Sequence, residues 1–333
     1  MSSDGTRPRR ADAIATLVTG ALGFVGINIV RALAASGTPV VALDRTDPDA
    51  AVRPHLEGVE DLVAFRRADI TRSDWAGSLA HDRIDAVVHA AAVTSIRPEE
   101  ERRAAEAALV NVAGTAHVVG WAARSGVRRV VVVSSAAVYG PVRGPEPIAE
   151  GRMPQPDTIY GITKLAGESL ARRIGALAGM EVVVARLSHV YGPMERPTEA
   201  RHSMSPVFEW VRAAVAREPL RSRAPDLARD FIHVADVADA LRLMLVAPLA
   251  AGDVFNVASG RWITDAEAID ALRALAPGAT AKVERGAAPA VSRSPVSSER
   301  LSRWTGWAPR YSFEAGCRQY LEWIRSRGNA WTS

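Results

Sequence analysis

Residues 14–26, IATLVTGALGFVG, join an apolar run to three glycines and decide how the chain folds. The first half is rich in β-branched residues and predicts a buried strand. Gly20, Gly23 and Gly26 follow this run, and the residues over 25–35 then have a pattern that is typical of a helix. Because glycine lets backbone N–H groups approach a pyrophosphate at a helix N-terminus, this strand–turn–helix unit predicts a dinucleotide-binding site.

Further apolar runs follow along the first half of the chain, and helical patterns separate them. Strands are predicted over 39–44, 62–69, 85–90, 129–135 and 181–186, and helices over 99–124 and 158–178. Runs that are apolar almost throughout suit central parallel strands covered on both faces. Strands that alternate with helices predict a Rossmann-type, doubly wound parallel α/β sheet.

The pattern changes after Arg186, where a proline-rich polar segment begins. We predict helices over 207–217, 264–275 and 313–325, a strand over 253–257 and a loop over 287–300. The predicted organisation is a disordered tail over 1–12, an NAD-binding domain over 13–188 with 229–258 crossing back to it, and a smaller C-terminal α/β substrate lobe over 189–228 and 259–328.

Composition and charge narrow the class of protein. The net charge is only +4 over 333 residues and is spread along the chain, so the sequence does not favour nucleic-acid binding. No apolar run approaches the roughly 18 residues needed to span a bilayer. One cysteine, Cys317, excludes an internal disulfide and fits a reducing compartment. We expect a soluble cytoplasmic protein that binds no membrane and, since its histidines lack paired ligand spacing, no metal.

An acidic residue closes the second predicted strand. The carboxylate of Asp44 can accept hydrogen bonds from both ribose hydroxyls of NAD and would repel the 2′-phosphate of NADP. Arg45 weakens that preference, because a guanidinium group can bind phosphate. Asp69, at the end of the third strand, is a candidate acceptor for an adenine amino group. NAD is therefore the predicted cofactor, and NADP is the weaker alternative.

Tyr160 and Lys164, in the stretch YGITK, are the predicted reactive pair. Lys164 is one of two lysines in a chain with 41 basic residues, and the spacing places it on the same helix face as Tyr160. A nearby ammonium group stabilises the phenolate and lowers a tyrosine pKa that is otherwise about 10. Ser134 and Ser135 close the fifth strand, at the sheet edge where open α/β folds bind ligands. A serine there can hydrogen-bond a substrate oxygen while the tyrosine takes or returns its proton.

An ordered set of motifs resembles the NAD-dependent epimerase/dehydratase family of extended short-chain dehydrogenases/reductases, which includes the nucleotide-sugar epimerases. The motifs are GALGFVG (20–26), Asp44, ADI (68–70), HAAA (89–92), NVAGT (111–115), SSAAVYG (134–140), YGITK (160–164), RLSHVYGP (186–193) and RDFIHVADVADA (229–240). The resemblance runs from about Ile14 to Arg325. It implies reversible hydride transfer on a sugar or nucleotide-sugar substrate, and a homodimer formed through helices that follow the fourth and fifth strands.

The resemblance implies a role for each matching residue. Tyr160 would be the general acid/base, Lys164 would bind the nicotinamide ribose, and Ser135 would align the reacting hydroxyl or carbonyl. The implied cofactor contacts are Gly20, Gly23, Phe24, Val25, Gly26, Asp44, Arg45, Asp69, Ile70, Ala90, Ala91, Asn111 and Ser188, together with Tyr160 and Lys164. The implied substrate contacts are Ser135, His189 and Arg229, of which Arg229 is a candidate phosphate contact.

The substrate side departs from the family pattern. Members that bind nucleotide sugars usually have asparagine where this chain has His189, and a glycine-rich turn where it has SRAPDLA (222–228). Arg285 and Arg293 lie where the family often has an arginine-rich turn, but the accompanying Gly-Asp is missing. These departures weaken the assignment of a nucleotide-sugar substrate without affecting the hydride chemistry.

Three functions remain open. Ala136 and Ala137 stand where family dehydratases usually carry an acid, so dehydration is disfavoured. The first function is a sugar-nucleotide epimerase of the UDP-glucose 4-epimerase type, which recycles its cofactor within each turnover. The second is an NAD-dependent dehydrogenase or reductase of a free sugar, a sugar acid or a secondary-metabolite ketone, which produces or consumes NADH. The third is a non-catalytic NAD-sensing protein, which has no need for Ser135, Tyr160 and Lys164.

Overall fold

The computed structural model describes residues 14–94, 100–284 and 294–327. The predicted tail over 1–12 lies outside the described residues, and so do Arg285 and Arg293.

Short strands and helices alternate along the described chain. The strands are β1 (Ile14–Thr19), β2 (Val40–Asp44), β3 (Val63–Arg67), β4 (Arg83–His89), β5 (Arg129–Ser135), β6 (Glu181–Leu187), β7 (His189–Tyr191), β8 (Leu220–Ser222), β9 (Ala228–Arg229), β10 (Phe231–His233), β11 (Val254–Val257), β12 (Ile263–Thr264) and β13 (Ala281–Val283). The helices are α1 (Phe24–Ala35), α2 (Val52–His55), α3 (Glu100–Ala108), α4 (Thr115–Arg124), α5 (Ile159–Ala178), α6 (Pro206–Ala216), α7 (Val234–Val246), α8 (Asp265–Leu275), α9 (Glu299–Thr305) and α10 (Phe313–Arg327).

The central sheet has the strand order β3–β2–β1–β4–β5–β6–β11 in the described part of the chain, and its strands pair in parallel. Helices cover both faces, so strands such as β5, with Val130 to Val133 buried, are apolar on both sides. The order reverses between β1 and β4, and the loops that leave these strands diverge there. This confirms the predicted Rossmann-type sheet and places a ligand crevice at its carboxyl edge.

Helix α5 carries the predicted reactive pair and packs closely on the sheet. The hydroxyl of Thr158 accepts a hydrogen bond from the Gly161 backbone N–H (3.1 Å) and so caps the first turn. A side chain at Gly167 would place its Cβ 2.7 Å from the Asn111 carbonyl oxygen. The missing side chain therefore lets α5 approach the π-helical turn Leu109–Gly114, which joins α3 to α4.

The chain crosses back to the sheet after the proline-rich segment. Strand β11 pairs with β6 at the sheet edge, and α7 packs against α1, with Leu241 fully buried in the same apolar cluster as Ile29. A second apolar cluster joins α6, α8 and α10 around Trp210 and Leu272. The exact boundaries of the two predicted domains stay a prediction.

Most predicted elements are present in the structure, but the predicted helix over 99–124 is divided into α3, a π-helical turn and α4, and the short strands β7–β10, β12 and β13 were not predicted. The predicted loop over 287–300 is wrong at its end, because α9 begins at Glu299. Helix α7 was not predicted, since its sequence was read only as part of a family motif. Within the residues that the structure covers, every helix is too short or too polar to span a bilayer.

Leu241→Ala tests whether α7 shares a hydrophobic core with α1 and the central sheet. Leu241 is 0% exposed, so removing its side chain leaves a cavity between α7 and α1, and we expect the free energy of unfolding to fall by about 2–5 kcal/mol. Denaturant unfolding measures the change. Val246→Ala is the control on the same helix, because Val246 is 71% exposed. Equal, small effects of the two changes would contradict the packing.

Candidate active site

A cleft at the carboxyl edge of the sheet brings most of the predicted site residues together. A cavity of about 680 Å³ opens between the β1–α1 turn, the end of β5 and the start of α5. Among its lining residues are Gly20, Gly23, Phe24, Val25, Gly26, Ser135, Tyr160, Lys164, Ser188, His189 and Arg229. A smaller cavity of about 100 Å³ adjoins it at the ends of β2 and β3 and is lined by Asp44, Arg45, Asp69, Ile70, Ala90 and Ala91, among others.

The glycine turn is tightly folded, as the sequence predicts. Gly20 has a φ of 65°, and a Cβ atom on Gly26 would lie 2.0 Å from the Gly20 carbonyl oxygen. Helix α1 begins directly after this turn, so its first N–H groups face the cleft. The Asp44 carboxylate accepts a hydrogen bond from the Leu22 backbone N–H (3.0 Å) and ties the turn to the end of β2.

The polar residues beside the smaller cavity already have partners within the protein. The Arg45 guanidinium lies 3.2 Å from a carboxylate oxygen of Glu199 and 3.7 Å from one of Glu106. Asp69 accepts hydrogen bonds from the Thr71 backbone N–H (2.9 Å) and hydroxyl (2.7 Å). The positive charge of Arg45 is thus balanced by two carboxylates.

Asn111, which the resemblance implies along the cofactor, lies behind the cleft wall. It is 1% exposed, and its side-chain amide exchanges hydrogen bonds with the Val93 backbone N–H (2.8 Å) and carbonyl (3.0 Å). The amide also donates to the Thr163 hydroxyl on α5 (3.0 Å). These contacts use the amide to fix the loop after β4 against α5.

Ser135 and Tyr160 meet in the larger cavity. The Ser135 hydroxyl accepts a hydrogen bond from the Ala137 backbone N–H (3.2 Å), which fixes it at the end of β5, and it is also a hydrogen-bond partner of Tyr160. Burial raises the pKa of Tyr160, and Arg201 and the Ser135 hydrogen bond oppose that rise. The lowered tyrosine pKa that we expected is therefore not a property of the protein alone, because desolvation of the phenolate outweighs the nearby positive charge.

Lys164 lies on the buried face of α5, with 5% of its surface exposed. Burial lowers the pKa of its ammonium group to about 8, and the negative charge of Glu168 opposes that fall. Lys164 is thus a buried cation whose protonation state is sensitive to its neighbours near neutral pH.

Sequence reasoning missed Arg201, which lies in the proline-rich segment. Its guanidinium group lies 5.5 Å from the centre of the Phe24 ring and donates to the Glu195 carboxylate (2.5 Å). Glu195 is fully buried and also accepts from the Ser205 backbone N–H (2.6 Å). No spacing in the sequence connects Arg201 to Tyr160, because the contact depends on how the segment folds across the cleft.

Sequence reasoning also missed the buried pair of Glu168 and Arg186. The Arg186 guanidinium donates to the Glu168 carboxylate, with a shortest contact of 2.7 Å, directly beneath the end of β5. A signal was available, because Glu168 stands four residues after Lys164 and therefore on the same face of α5.

The substrate side of the cleft has a cavity of about 230 Å³, lined by Ser135, His189 and Arg229, among others. The Arg229 guanidinium pairs with the Asp265 carboxylate, and burial lowers the pKa of Arg229 to about 10. His189 lies on β7, with its ring edge against Phe231 at a centroid distance of 6.1 Å. The predicted phosphate contact is therefore already engaged by a carboxylate.

His89 belongs to the core. Its two ring nitrogens lie 2.7 Å from the Thr19 hydroxyl and 2.9 Å from the Thr115 hydroxyl, and burial lowers its pKa to about 3. A neutral imidazole thus joins β1 and β4 to α4. The described residues contain no group of three or more His, Cys, Asp or Glu side chains that could hold a metal ion.

The amino-acid sequence is similar to those of known proteins over most of its length. The NAD dependent epimerase/dehydratase family matches residues 16–258. The UDP-glucose 4-epimerase of Mycolicibacterium smegmatis is 30% identical over 94% of this chain and 99% of its own. The GDP-6-deoxy-D-mannose reductase of Pseudomonas aeruginosa is 31% identical over 93% of this chain and 97% of its own.

The fold is likewise shared with solved structures. MoeE5 in complex with UDP-glucuronic acid and NAD is 30% identical, with a TM-score of 0.81 over 94% of this chain and 99% of MoeE5.

Gly26→Ala tests the glycine turn as the cofactor site. The new Cβ would overlap the Gly20 carbonyl oxygen, so the turn must shift at a cost of about 1–3 kcal/mol. We expect the affinity for NAD, measured by calorimetric titration, to fall at least about tenfold. Gly77→Ala is the control, because its Cβ would have no neighbour within 4 Å. Unchanged NAD affinity in Gly26→Ala would contradict the assignment of the turn.

Proposed function

The chain belongs to the NAD-dependent epimerase/dehydratase family, and we propose that it is a nucleotide-sugar epimerase of the UDP-glucose 4-epimerase type. The observation that carries the proposal is the meeting of Ser135, Tyr160 and Lys164 in a cavity that also contains the glycine turn. The cavity volume of about 680 Å³ is in the range of small-molecule sites. A non-catalytic NAD sensor would not require this trio.

The proposed mechanism assigns proton transfer to the phenol. NAD, when bound, supplies the acceptor and then the donor of the hydride. Ser135 and Tyr160 hydrogen-bond the reacting sugar oxygen; Tyr160 takes its proton as the carbinol is oxidised and returns it after the ketose has turned its other face. Burial raises the pKa of Tyr160 and the charge of Arg201 opposes that rise. In the proposed mechanism the positive charge of Lys164 adds to this stabilisation of the phenolate.

The protein's own residues fit NAD better than NADP. Asp44 presents a carboxylate at the end of β2, where a ribose 2′-hydroxyl can donate to it. Arg45 could attract a 2′-phosphate, but its charge is balanced by Glu106 and Glu199. Glu106 is also paired with Arg103 (2.9 Å), so the preference for NAD rests on the Asp44 carboxylate, which would repel a 2′-phosphate.

The two residues that follow Ser135 disfavour a dehydration reaction. The next two residues, Ala136 and Ala137, line the substrate-side cavity with methyl groups, where an eliminating enzyme would need an acid or base. Reversible oxidation at a carbinol needs no such group, so the alanines are compatible with epimerisation.

The segment 194–201 favours a retained cofactor over one that exchanges with solution. At its start, Arg196 donates to the Leu22 carbonyl of the glycine turn (3.3 Å) and to the Asp49 carboxylate (2.9 Å). At its end, the Ala200 carbonyl accepts from the Thr94 backbone N–H (3.0 Å).

The middle of this segment is also held. The Glu199 carboxylate pairs with Arg45, and the Glu199 carbonyl accepts from Arg103 (2.8 Å). Segment 194–201 thus spans the cleft between the two cofactor cavities, and its contacts would have to break for NAD to leave. An epimerase benefits from this arrangement because it re-oxidises its NADH in every turnover, whereas a dehydrogenase must exchange it.

The second candidate function is an NAD-dependent dehydrogenase or reductase of a substrate without a nucleotide. The pairing of Arg229 with Asp265 favours it, because this arginine is not free to bind a diphosphate. Similarity at 31% identity to a protein named GDP-6-deoxy-D-mannose reductase supports net reduction as the reaction, though not the absence of a nucleotide. Net NADH formation or consumption separates this candidate from the epimerase.

We also propose that the enzyme is a cytoplasmic homodimer. Leu170 and Leu177 on α5 and Leu109 at the junction of α3 and α4 are exposed on the helices that follow the fourth and fifth strands. A partner chain that packs on these helices would cover them.

Tyr160→Phe tests the proton-transfer role. Removing the phenol hydroxyl should lower turnover at least about 10²-fold while NAD still binds, because only the general acid/base is lost. Steady-state epimerisation rates and NAD titration measure the two properties. Tyr320→Phe is the matched control: its hydroxyl is buried in the apolar cluster of α6, α8 and α10, does not line the 680 Å³ cavity, and has no hydrogen-bond partner among the described residues. Unchanged turnover in Tyr160→Phe would sink the mechanism.

Arg196→Ala tests cofactor retention. The Arg196 side chain is 13% exposed, and we expect its loss to speed NAD release roughly tenfold, as the removal of a charge-assisted hydrogen bond of about 1.5 kcal/mol implies. Release is measured by displacing bound NAD with a fluorescent analogue. Arg303→Ala, which removes an ion pair that is 73% exposed, should leave the rate unchanged. Rapid release from the unmodified protein would count against a retained cofactor.

A further inference from the structure

A buried ion pair lies beneath the proposed reactive residues. Glu168 on α5 is 2% exposed and Arg186 on β6 is 4% exposed. Arg186 Nη2 donates to Glu168 Oε2 (2.7 Å), and Arg186 Nε lies 3.1 Å and 3.2 Å from the two carboxylate oxygens. This fork-like pairing fixes both side chains in one geometry.

The ion pair is tied to the strand that carries Ser135. The Ser134 hydroxyl donates to Glu168 Oε1, and Ser134 is itself 2% exposed. The Arg186 guanidinium group also lies 4.8 Å from the centre of the Tyr139 ring, in the short helix that follows β5. Glu168 is therefore linked to both sides of the serine that would align the substrate oxygen.

Stability alone is a poor explanation for this pair. Taking two charges out of water costs several kcal/mol, and well-packed apolar residues often stabilise a core at least as well as a buried ion pair. An ion pair in this place is better explained if one of its charges stabilises a third charged group nearby. Lys164 is that charge, because it lies one helical turn before Glu168 on the buried face of α5.

The groups that face Lys164 come from several elements. His89 on β4 is neutral, since burial lowers its pKa to about 3. Tyr160 and Glu168 lie on the same helix, Arg186 on β6 is paired with Glu168, and Arg201 acts on Tyr160. Glu168 opposes the fall in the Lys164 pKa that burial causes. Arg186 neutralises part of the Glu168 charge through the ion pair, so it acts in the opposite direction.

We propose that Glu168, anchored by Ser134 and with its negative charge shared by Arg186, is a positioning residue that keeps the Lys164 ammonium group charged inside the buried site. The catalytic part of this inference rests on the proposed function, because a charged Lys164 matters only if it stabilises the Tyr160 phenolate. Glu168 acts through Lys164 and is not itself expected to touch substrate or cofactor.

The proposal makes opposite predictions for the two partners of the ion pair. Glu168→Gln keeps the shape of the side chain but removes the negative charge and leaves Arg186 in place, so the Lys164 pKa falls. Arg186→Gln removes the positive charge and leaves the carboxylate, so the Lys164 pKa rises. If the two substitutions only loosened the structure, the Lys164 pKa would shift in the same direction in both variants.

The experiment uses the fact that the chain contains only two lysines, Lys164 and Lys282. Selective ¹³C labelling of lysine gives two side-chain signals, which are assigned with Lys282→Arg and followed in NMR titrations of the full-length protein. Lys282 has a side chain that is 55% exposed, and its pKa is the internal control. This readout needs no enzyme activity and so is independent of the proposed function.

The two variants decide the proposal separately. A lower Lys164 pKa in Glu168→Gln and a higher one in Arg186→Gln support it, and no change or a shift in the same direction overturns it. If one variant does not fold, the other still decides by the sign of its shift. Glu168→Asp, which keeps the charge, should give a pKa above that of Glu168→Gln.

The pH dependence of kcat/KM tests the link to catalysis. Because Lys164 must be protonated, the alkaline limb of the profile should move to lower pH in Glu168→Gln and to higher pH in Arg186→Gln. An alkaline limb that stays in place while the NMR pKa moves overturns the positioning role. Failure of the proposed function shows differently, as full turnover in Tyr160→Phe with the NMR shifts intact.

Discussion

The ammonium group of Lys164 is buried, and the rest of the cleft is arranged around that charge. Burial lowers the pKa of this ammonium group to about 8, and the negative charge of Glu168, one helical turn further along α5, opposes that fall. His89, which is fully buried and senses the charge of Lys164, is neutral because burial lowers its pKa to about 3. Burial also raises the pKa of Tyr160, so both proposed reactive groups are shifted away from their charged forms by the same desolvation.

The sheet was predictable from local sequence because each of its elements has a local cause. The run before Gly20, the glycine turn and Asp44 at the end of β2 together specify a strand–turn–helix–strand unit, and the structure has it. Helix α5 was predictable in the same way, from Thr158 at its cap to its apolar face. Helix α9 was missed because its stability comes from packing against β11 rather than from a long apolar pattern.

The candidate site was predictable only where its residues belong to motifs. Tyr160, Lys164 and Ser135 were found this way, and the structure brings them together. Arg201 was not found, because it reaches the cleft from a polar segment with no periodic pattern. The pairing of Arg229 with Asp265 was equally hidden, since these residues are 36 positions apart and meet only after α8 has folded. Contacts between distant segments follow from the tertiary fold and leave little trace in local sequence.

In the proposed mechanism, hydride passes to NAD and returns to the sugar within one cleft. The decisive experiment is rapid mixing of the NAD-loaded protein with UDP-, dTDP- and GDP-sugars, followed by NADH absorbance and sugar analysis. For one of these sugars we expect a transient rise in bound NADH, no NADH accumulating in solution, and conversion of that sugar to its epimer. NADH released in proportion to an oxidised product, or no reduction with any nucleotide sugar, would contradict it.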